Sequence, residues 1–487
     1  MRDDGNNVSS EDCAILKGDK MSEIPQKTAN MGFIIMVSLV ATLGGFLFGF
    51  DSGVINGTVK GLDAAFGATN FASGLNVASM LLGCAVGAFF AGKLSDNFGR
   101  RNMMMVAAVF FLVSAWGSGI AETSGTFIFF RILGGLAVGA ASVMAPAYIS
   151  EIAPAHLRGG LASIQQIAIV VGLTVAFFSN YYLAGVSGGA TEVFRGHETW
   201  RWMFWVEIAP AALFLLLLFF IPKSPRYLMV KGDEDGALKS MTKLFGETTA
   251  KTKLADIKTS LASDHAPRLS DLLKKAGGGL RPIVWVGIGL AVFQQLVGIN
   301  VIFYYGAVMW EAAGFTEADA LKQNVFMGVM SIFATGITLF LIDKFGRKPF
   351  LMLGSCGMAI MLAVVAYSFS TGALVDGSLE LSDNMGRLAL YAAMAYVFFF
   401  NMTWGPVMWV MLGEMFPNQI RGAGLAVAGF AQWIANFVVT LTFPLMLGSI
   451  GLAASFGIYS AFAFISILFV AKAVTETKGM ELEDMVG

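Results

Sequence analysis

Twelve long apolar stretches run through the 487 residues of this chain, and they constrain its fold more than any other feature. An α-helix needs about 20 apolar residues to cross the hydrocarbon core of a bilayer. Charged residues make up only 13% of the chain, about half of the roughly 25% that is usual in soluble proteins. The sequence therefore predicts an all-α membrane protein with twelve transmembrane helices. These lie near residues 32–57, 71–94, 102–121, 126–149, 160–184, 201–221, 283–310, 321–342, 349–370, 387–413, 421–443 and 452–473.

The composition also disfavours several functional classes. The net charge of −1 argues against a nucleic-acid partner. The three cysteines are far apart and no histidine accompanies them, so neither a disulfide framework nor a zinc site is predicted. The Gly92-Lys93 pair is followed by Leu94, so no Walker A motif marks ATP as the direct energy source. We predict no cofactor, no metal and no enzymatic activity.

The distribution of Lys and Arg predicts the orientation. A polar interruption near 222–281 separates six spans from six, and an even number of spans puts both termini on one side. Threading the chain through the membrane places 26 of the 32 Lys and Arg residues on the face that carries the termini and 5 on the other face. Basic loops stay in the cytoplasm. The termini are therefore predicted to be cytoplasmic, in a multi-pass protein of the cytoplasmic (inner) cell membrane.

This threading divides the chain into five segments. They are a cytoplasmic N-terminal tail, an N-terminal six-helix half, a cytoplasmic loop, a C-terminal six-helix half and a cytoplasmic C-terminal tail, at residues 1–31, 32–221, 222–281, 282–474 and 475–487. Within the loop, apolar residues recur at helical spacing near 234–246, 252–263 and 268–276, which predicts short cytoplasmic helices. A flexible linker is the alternative.

Two patterns occur once in each half, which indicates an internal duplication. Residues 96–101 after span 2 and residues 343–348 after span 8 share the pattern D-x-F-G-R-[RK]. The spacing E-x-x-P-x-x-x-R-G begins at Glu151 after span 4 and at Glu414 after span 10. Both halves start on the same side, so the repeat is parallel, related by an axis along the membrane normal. This arrangement is typical of alternating-access transporters, in which the substrate binds between the halves.

The charged residues of these patterns predict a gate on the cytoplasmic side. Acidic and basic groups at helix ends can pair across helices when that side is shut, with Arg100 and Arg347 as the expected partners of the two glutamates. The alternative is that basic loops only anchor the chain at the membrane boundary. The candidate gating residues are Asp96, Arg100, Glu151, Arg158, Asp343, Arg347, Glu414 and Arg421.

Further motifs resemble those of the sugar porters of the major facilitator superfamily. The resemblance covers about residues 36–483 and rests on the D-x-F-G-R loops, Arg131 before Gly134-Gly135, and the segments 146–151, 222–226 and 476–479. Residues 293–300, 404–409 and 431–433 resemble more narrowly the bacterial D-xylose–proton symporters. The chain departs from these patterns at three positions. Lys223 stands where Glu is usual, Thr475 where Pro is usual, and Ser331 where those symporters have a sugar-contacting Asn.

The resemblance implies a sugar site, and the residue chemistry agrees with it. Side-chain amides donate and accept hydrogen bonds, and they cost less than charges in a membrane. The implied substrate-binding residues are Gln166, Gln294, Gln295, Asn300, Gln432, Gly405 and Trp409, with Phe48 and Trp433 as apolar faces. Tyr304 and Tyr305, just after a break predicted at Gly298, resemble the extracellular gate of span 7. The alternative for span amides is that they tie helices together, which is our interpretation of Asn76, Asn180, Asn324, Asn401 and Asn436.

Three ionisable residues inside spans are candidates for proton coupling: Asp51 in span 1, Arg131 in span 4 and Glu207 in span 6. Ionisable groups inside a membrane usually have a partner and a function. A conformational change that makes or breaks an Asp51–Arg131 pair would move a proton on or off Asp51. The resemblance assigns coupling to that Asp. The alternatives are a static ion pair and, for Glu207, a satisfied core acid.

Together these observations predict proton-coupled symport of a monosaccharide, such as xylose, glucose or a related sugar, by alternating access. The predicted partners are the sugar, the proton and the lipid bilayer, and the protein is expected to act as a monomer. A sugar uniporter of the same fold is one alternative. A membrane sugar sensor that does not transport is the other.

Overall fold

A computed structural model describes residues 30–154, 157–263, 269–274, 279–375, 378–417 and 419–478. Within them, 12 helices are long and apolar enough to cross a membrane, which confirms the predicted number. Spans 1 to 6 contain the helices Met31–Val54, Asn70–Phe98, Arg100–Ile120, Ser124–Ile152, Arg158–Ser187, and the pair Thr199–Trp205 and Ile208–Leu218. Spans 7 to 12 contain the pair Pro282–Leu296 and Ile299–Ala312, then Glu317–Phe345, Arg347–Ser370, the pair Asp383–Met402 and Trp404–Met415, Arg421–Ser449, and Gly451–Ala473.

Three spans are interrupted, and the sequence analysis predicted only the break at Gly298 in span 7. Span 6 breaks at Val206 and Glu207, span 7 at Val297 and Gly298, and span 10 at Thr403. Gly298 has a φ of 81°, a left-handed conformation that glycine adopts without steric cost. The ring of Tyr459 also lies where a side chain at this position would point. Span 1 ends differently, in a turn of 3₁₀-helix at Ile55–Gly57.

Shorter elements lie outside the spans. The predicted helices near 234–246 and 252–263 are found as Glu234–Phe245 and Glu247–Ser263, whereas the segment near 268–276 contains only a 3₁₀-turn at Leu269–Leu272 among its described residues. Elements that the sequence analysis did not predict are the helices Val59–Phe66 and Pro225–Val230 and two antiparallel hairpins, Val193–Phe194 with His197–Glu198 and Ala373–Val375 with Ser378–Glu380.

The helix packing repeats between the two halves, here meaning spans 1–6 and spans 7–12. In the first half, span 1 packs on span 5, span 2 on span 4, and span 3 on spans 4 and 6. In the second half, span 7 packs on span 11, span 8 on span 10, and span 9 on spans 10 and 12. The halves meet where span 2 packs on span 11 and span 5 on span 8. Each contact has its counterpart six spans later, as a parallel duplication requires.

The loops alternate between two faces of the bundle. We call the face with the Gly99–Arg100 and Gly346–Arg347 turns the Gly-Arg face, and the other the opposite face. The helix Val59–Phe66 and both hairpins lie on the opposite face, since each follows an odd-numbered span.

Four glycines spaced four residues apart let span 1 approach span 5 closely. A Cβ atom at Gly45 would lie 2.6 Å from the Gln165 side chain, and one at Gly49 would overlap the Ile169 carbonyl oxygen. The same spacing continues to Gly53 and ends at Gly57 in the 3₁₀-turn, and we call these four residues the glycine stripe. Small residues at this spacing are a common means of packing helices in membranes, where the hydrophobic effect does not hold helices together.

This packing predicts that Gly49→Ala destabilises the protein. The added methyl group would force spans 1 and 5 apart, and overpacking of this kind costs about 1–3 kcal/mol. The apparent melting temperature of the purified protein in detergent should fall. Gly185→Ala on span 5 is the matched control, because its Cβ would meet no atom within 4 Å. Equal melting temperatures for the two variants would contradict the close approach.

Candidate functional site

Three of the predicted sugar-site amides form one hydrogen-bonded chain at the interruptions of spans 7 and 10. Gln294 Nε2 donates to the carbonyl oxygens of Trp404, at 3.0 Å, and Gly405, at 3.3 Å. Gln295 Nε2 donates to Gln294 Oε1 at 3.1 Å. Asn300 Nδ2 donates to Gln295 Oε1 at 2.6 Å. These three amide side chains therefore connect the break in span 7 to the backbone at the break in span 10.

The other two predicted amides lie apart from this chain. No hydrogen bond between described residues joins Gln166 or Gln432 to it. Gln166 is partly exposed on span 5, in the other half. Gln432 is buried on span 11, and its Oε1 has no hydrogen-bond partner within the described part of the chain. An unpartnered buried amide is costly, so a polar group from a ligand or water would stabilise it.

The aromatic residues provide apolar surface across the two halves. Phe48 of span 1 and Trp433 of span 11 have ring centroids 5.6 Å apart. Trp409, on the second helix of span 10, remains 39% exposed. A flat apolar surface of this kind suits the C–H face of a sugar ring, and binding pockets generally combine such surfaces with a few polar groups.

The two tyrosines predicted as a gate are buried, and one of them fixes span 7 to span 11. The hydroxyl of Tyr305 donates to the Thr440 carbonyl oxygen at 3.0 Å, and its ring lies 5.3 Å from that of Phe443. Tyr304 is also buried. The segment after the span 7 break is therefore closely packed near the opposite face.

An amide seam closes the opposite face between the halves, and the sequence analysis named only one of its members, Asn324, as a helix tie. Asn56 Nδ2, at the end of span 1, donates to the Phe303 carbonyl oxygen at 2.9 Å, while its Oδ1 accepts from Ala307 N at 3.2 Å. Asn324 Nδ2 of span 8 donates to the same Oδ1 at 2.7 Å. Residues 303 and 307 are one helical turn apart, so Asn56 contacts both groups of one turn of the span 7 helix.

Asp51 and Arg131 form a fully buried ion pair within the first half. Arg131 Nη1 pairs with Asp51 Oδ1, and Nη2 donates to the Asp51 carbonyl oxygen at 3.3 Å and lies 3.0 Å from Met80 Sδ. The second carboxylate oxygen, Oδ2, is buried and has no partner within the described residues. Oδ2 is therefore a buried acceptor that no described group occupies.

Glu207 lies at the interruption of span 6, close to this pair. It is buried, and the preceding turn brings Phe204 beneath Arg131, whose guanidinium carbon is 5.5 Å from the ring centroid. Two carboxylates, Asp51 and Glu207, thus share the neighbourhood of one buried guanidinium. One guanidinium cannot fully neutralise two buried carboxylates.

On the Gly-Arg face of the first half, Arg100 lies between two carboxylates. Its Nη2 is 2.6 Å from Asp96 Oδ1 and its Nε is 2.9 Å from Glu151 Oε1. Arg158 begins the span 5 helix, and its side chain lies outside the described residues. The cluster joins the ends of spans 2, 3 and 4.

The second half repeats this cluster and adds a C-terminal segment to it. Arg347 binds Glu414 through two hydrogen bonds, of 3.0 and 2.7 Å, and also pairs with Asp343 at 2.9 Å. Thr477 Oγ1 donates to Glu414 Oε2 at 2.6 Å. Arg421 takes no part in these pairs, and its Nε donates to the Phe416 carbonyl oxygen at 3.3 Å.

Glu476 completes this second cluster. Burial alone would raise the pKa of its carboxyl, but hydrogen bonds from the backbone N–H groups of Arg347, Lys478, Lys348 and Thr477 lower the pKa below its usual value. The carboxylate therefore stays charged and caps the start of the span 9 helix. The sequence analysis named this position only as part of a motif.

The predicted acid–base partners are thus found, but each pair lies within one half. Arg100 pairs with Glu151 and Arg347 pairs with Glu414, in each case between two helices of one half. Among the described ion pairs on this face, none joins one half to the other. These clusters shape the helix ends in each half, and they do not by themselves lock the halves together.

One amide that we interpreted as a helix tie also has a free polar atom. Asn401 Nδ2 donates to Ser331 Oγ at 3.1 Å and to the Val397 carbonyl oxygen at 3.0 Å, which is a tie between spans 8 and 10. Its Oδ1 accepts no hydrogen bond from any described residue. Asn401 lies two residues before the span 10 break, close in sequence to the carbonyl groups that Gln294 binds. Sequence alone did not separate it from the other span amides.

Comparisons with known proteins agree with this architecture. The family described as "Sugar (and other) transporter" matches residues 37–486. The glucose transport protein of Synechocystis sp. is 48% identical over 462 residues, covering 94% of this chain and 98% of that protein. The D-xylose-proton symporter of Escherichia coli K12 is 39% identical over 488 residues, covering 94% and 96%.

A solved structure gives the same result at the level of the fold. The partially occluded, inward-open conformation of the xylose transporter XylE from E. coli superimposes with a TM-score of 0.80 at 37% identity, over 92% of this chain and 100% of that one. Sequence, fold and the duplicated motifs therefore lead to one assignment: this chain belongs to the sugar transporter family.

Proposed function

We propose that this chain couples the movement of a monosaccharide across the cytoplasmic membrane to the movement of protons. The observation that carries the proposal is the fully buried Asp51–Arg131 pair with its unpartnered carboxylate oxygen. Ionisable groups are costly to bury inside a membrane, and those that occur there usually have a function. The name of the relative from E. coli, a D-xylose-proton symporter, supports this reading.

We further propose that the sugar binds at the broken helices of the second half. The amide chain of Gln294, Gln295 and Asn300 leaves Asn300 Oδ1 without a described donor, and Asn401 offers a second free oxygen. Gln166 and Gln432 would complete the set of donors and acceptors around the hydroxyl groups. The Phe48–Trp433 contact and Trp409 would cover the apolar face of the ring.

The transport cycle follows from which contacts join the halves. The opposite face is held shut between the halves, whereas the ion pairs of the Gly-Arg face remain within each half. With the termini in the cytoplasm, as the basic loops favour, the Gly-Arg face is cytoplasmic and the present state is shut to the outside. We propose that residues 32–221 and 282–474 rock about the site as two bodies, within a single chain in the bilayer.

Asp51→Asn should abolish uphill accumulation of sugar while leaving exchange of sugar across the membrane largely intact. Asparagine keeps the shape of the side chain but cannot carry a proton. The measurement is uptake driven by a pH gradient, beside counterflow without one, in vesicles. Asp383→Asn is the control, because Asp383 is an exposed acid at the start of span 10. A variant that still concentrates sugar would refute the coupling role, and a wild-type protein that never concentrates sugar would indicate a uniporter.

Gln295→Ala should weaken sugar binding by about one to two decades. The substitution removes the amide that is proposed to hydrogen-bond the sugar hydroxyls and that holds Gln294 and Asn300 in place. Each polar group left unmet in the bound state costs about 1–3 kcal/mol. Binding is measured by calorimetry on purified protein with xylose and glucose. Asn180→Ala, which removes a span amide bonded to the Val54 carbonyl oxygen, is the control. Unchanged affinity in a well-folded Gln295→Ala variant would show that Gln295 only ties helices together.

Glu414→Gln should raise the population in which the Gly-Arg face is open. The glutamate holds Arg347 and Thr477, and we propose that this arrangement meets the other half when the face closes. Partly exposed pairs are worth about 1 kcal/mol or less each. We expect roughly a two- to fivefold faster maleimide labelling of a cysteine introduced by Gly413→Cys, a position with open space around its Cβ. Glu234→Gln, in an exposed pair with Lys258, is the control. Labelling at the wild-type rate would mean that the cluster only anchors loops.

A further inference from the structure

A small ionic cluster lies above the amide seam on the opposite face, and the proposed site and coupling residues do not use it. Lys60 Nζ is 2.9 Å from Glu311 Oε2 and 3.3 Å from Glu317 Oε2. Lys60 belongs to the first half, whereas Glu311 ends span 7 and Glu317 begins span 8. Among the described ion pairs these two alone join the halves.

Lys60 is fixed firmly to the first half. It lies on the helix Val59–Phe66, whose Gly61 lies so close to the Trp200 ring that a Cβ would be 2.6 Å from Trp200 Cδ1. Phe66 packs on the rings of Trp200 and Phe127, with centroids 5.8 and 6.0 Å away. A force on the Lys60 ammonium is therefore transmitted to spans 4 and 6.

Glu317 is held from the first half by a second element. Its Oε1 accepts a hydrogen bond from the backbone N–H of Ala190 at 2.8 Å, in the loop between spans 5 and 6. The preceding Gly189 has a φ of 152° and a Cβ there would lie 3.3 Å from the Glu317 carboxylate. One carboxylate of the second half thus binds two separate elements of the first.

The electrostatics of the cluster favour the closed arrangement in two ways. The two carboxylates are each 22% exposed and Lys60 is 50% exposed, so the pairs are partly shielded from water. The hydrogen bond to Glu311 raises the pKa of Lys60, so the ammonium stays charged at neutral pH. When the halves separate on this face, Glu311 and Glu317 stay together on the second half without their shared cation, and like charges repel.

We propose that Lys60 is an electrostatic latch of the transport cycle, a positioning residue whose pairs with Glu311 and Glu317 stabilise the state that is shut on the opposite face. The inference rests on the proposed rocking of two halves. It does not depend on which sugar is carried or on proton coupling. A test without sugar or a pH gradient can therefore refute the latch without refuting the proposed sugar site or the proposed proton coupling.

The test measures the opening of this face directly. Spin labels are placed by Ala64→Cys on the short helix and Ala318→Cys on span 8, both exposed positions, after removal of Cys13 and Cys356 by substitution with Ser. Electron–electron double resonance in nanodiscs then gives the distribution of label distances without sugar. We expect Lys60→Gln to lower the ratio of closed to open molecules about three- to tenfold, as two partly exposed ion pairs allow.

Matched variants distinguish the latch from a general effect of charge. Lys322→Gln removes a lysine on the same face that forms no ion pair with a described residue, and it should leave the distribution unchanged. Glu317→Gln should shift the distribution in the same direction as Lys60→Gln, which keeps the proposal testable if that variant folds poorly. The exchange of charges in Lys60→Glu with Glu311→Lys should restore much of the closed population.

Transport gives an independent readout. Because Lys60→Gln favours opening of this face, it should change the half-saturating sugar concentration for uptake. The double variant with Lys60→Glu and Glu311→Lys should return that concentration toward the wild-type value. A purely structural defect would not be rescued by reversing both charges. Wild-type distance distributions in both Lys60→Gln and Glu317→Gln, or an equal shift in Lys322→Gln, would overturn the proposal.

Discussion

The hydrocarbon core of a bilayer offers no water to a peptide group, so every interruption of a spanning helix must be satisfied by protein atoms. This constraint determines what surrounds the breaks in spans 7 and 10. The Val297 carbonyl oxygen accepts the hydroxyl of Tyr396 at 2.7 Å, and the Met402 carbonyl oxygen accepts that of Thr338 at 2.5 Å. Gln294 then joins the second break to the first. The polar side chains that could recognise a sugar are present because the broken backbone also needs them.

The buried charges obey the same rule more strictly. Arg131 not only pairs with the Asp51 carboxylate but also binds the Asp51 backbone carbonyl near the end of span 1. A protonation change at this aspartate therefore acts on a side chain and a helix end together. Since span 1 is packed against span 5 through its glycine stripe, a shift at the pair cannot be absorbed by loosening one helix. A displacement at the pair would therefore act on spans 1 and 5 together.

The sequence was informative where a physical signal is local, and it failed where a signal depends on distant partners. The twelve spans follow from length and hydropathy, and the partnership of Asp51 with Arg131 follows from the scarcity of charges in the spans. The break in span 7 was predicted at Gly298, where a glycine marks it. The breaks in spans 6 and 10 were not predicted, because Pro146 and Pro444 lie inside continuous helices while span 10 breaks at an ordinary threonine. An amide that ties helices and one that awaits a ligand also look identical in sequence, as Asn401 shows. Contacts such as Lys60 with Glu311 join residues 251 positions apart, and no local pattern marks them.

The duplicated halves share their architecture and the ion clusters of the Gly-Arg face, but they differ in the polar groups deep inside the spans. Among the described residues, the ionisable groups deepest in the spans, Asp51, Arg131 and Glu207, are in the first half. Most of the candidate sugar amides are in the second half, with Gln166 as the exception. A mutation that reshapes recognition therefore falls on different helices from one that alters the buried charges. This separation lets selection, or a protein engineer, change what is carried while leaving the energy source untouched. It offers a physical reason why one scaffold could diversify toward many cargoes by substitution in a single half.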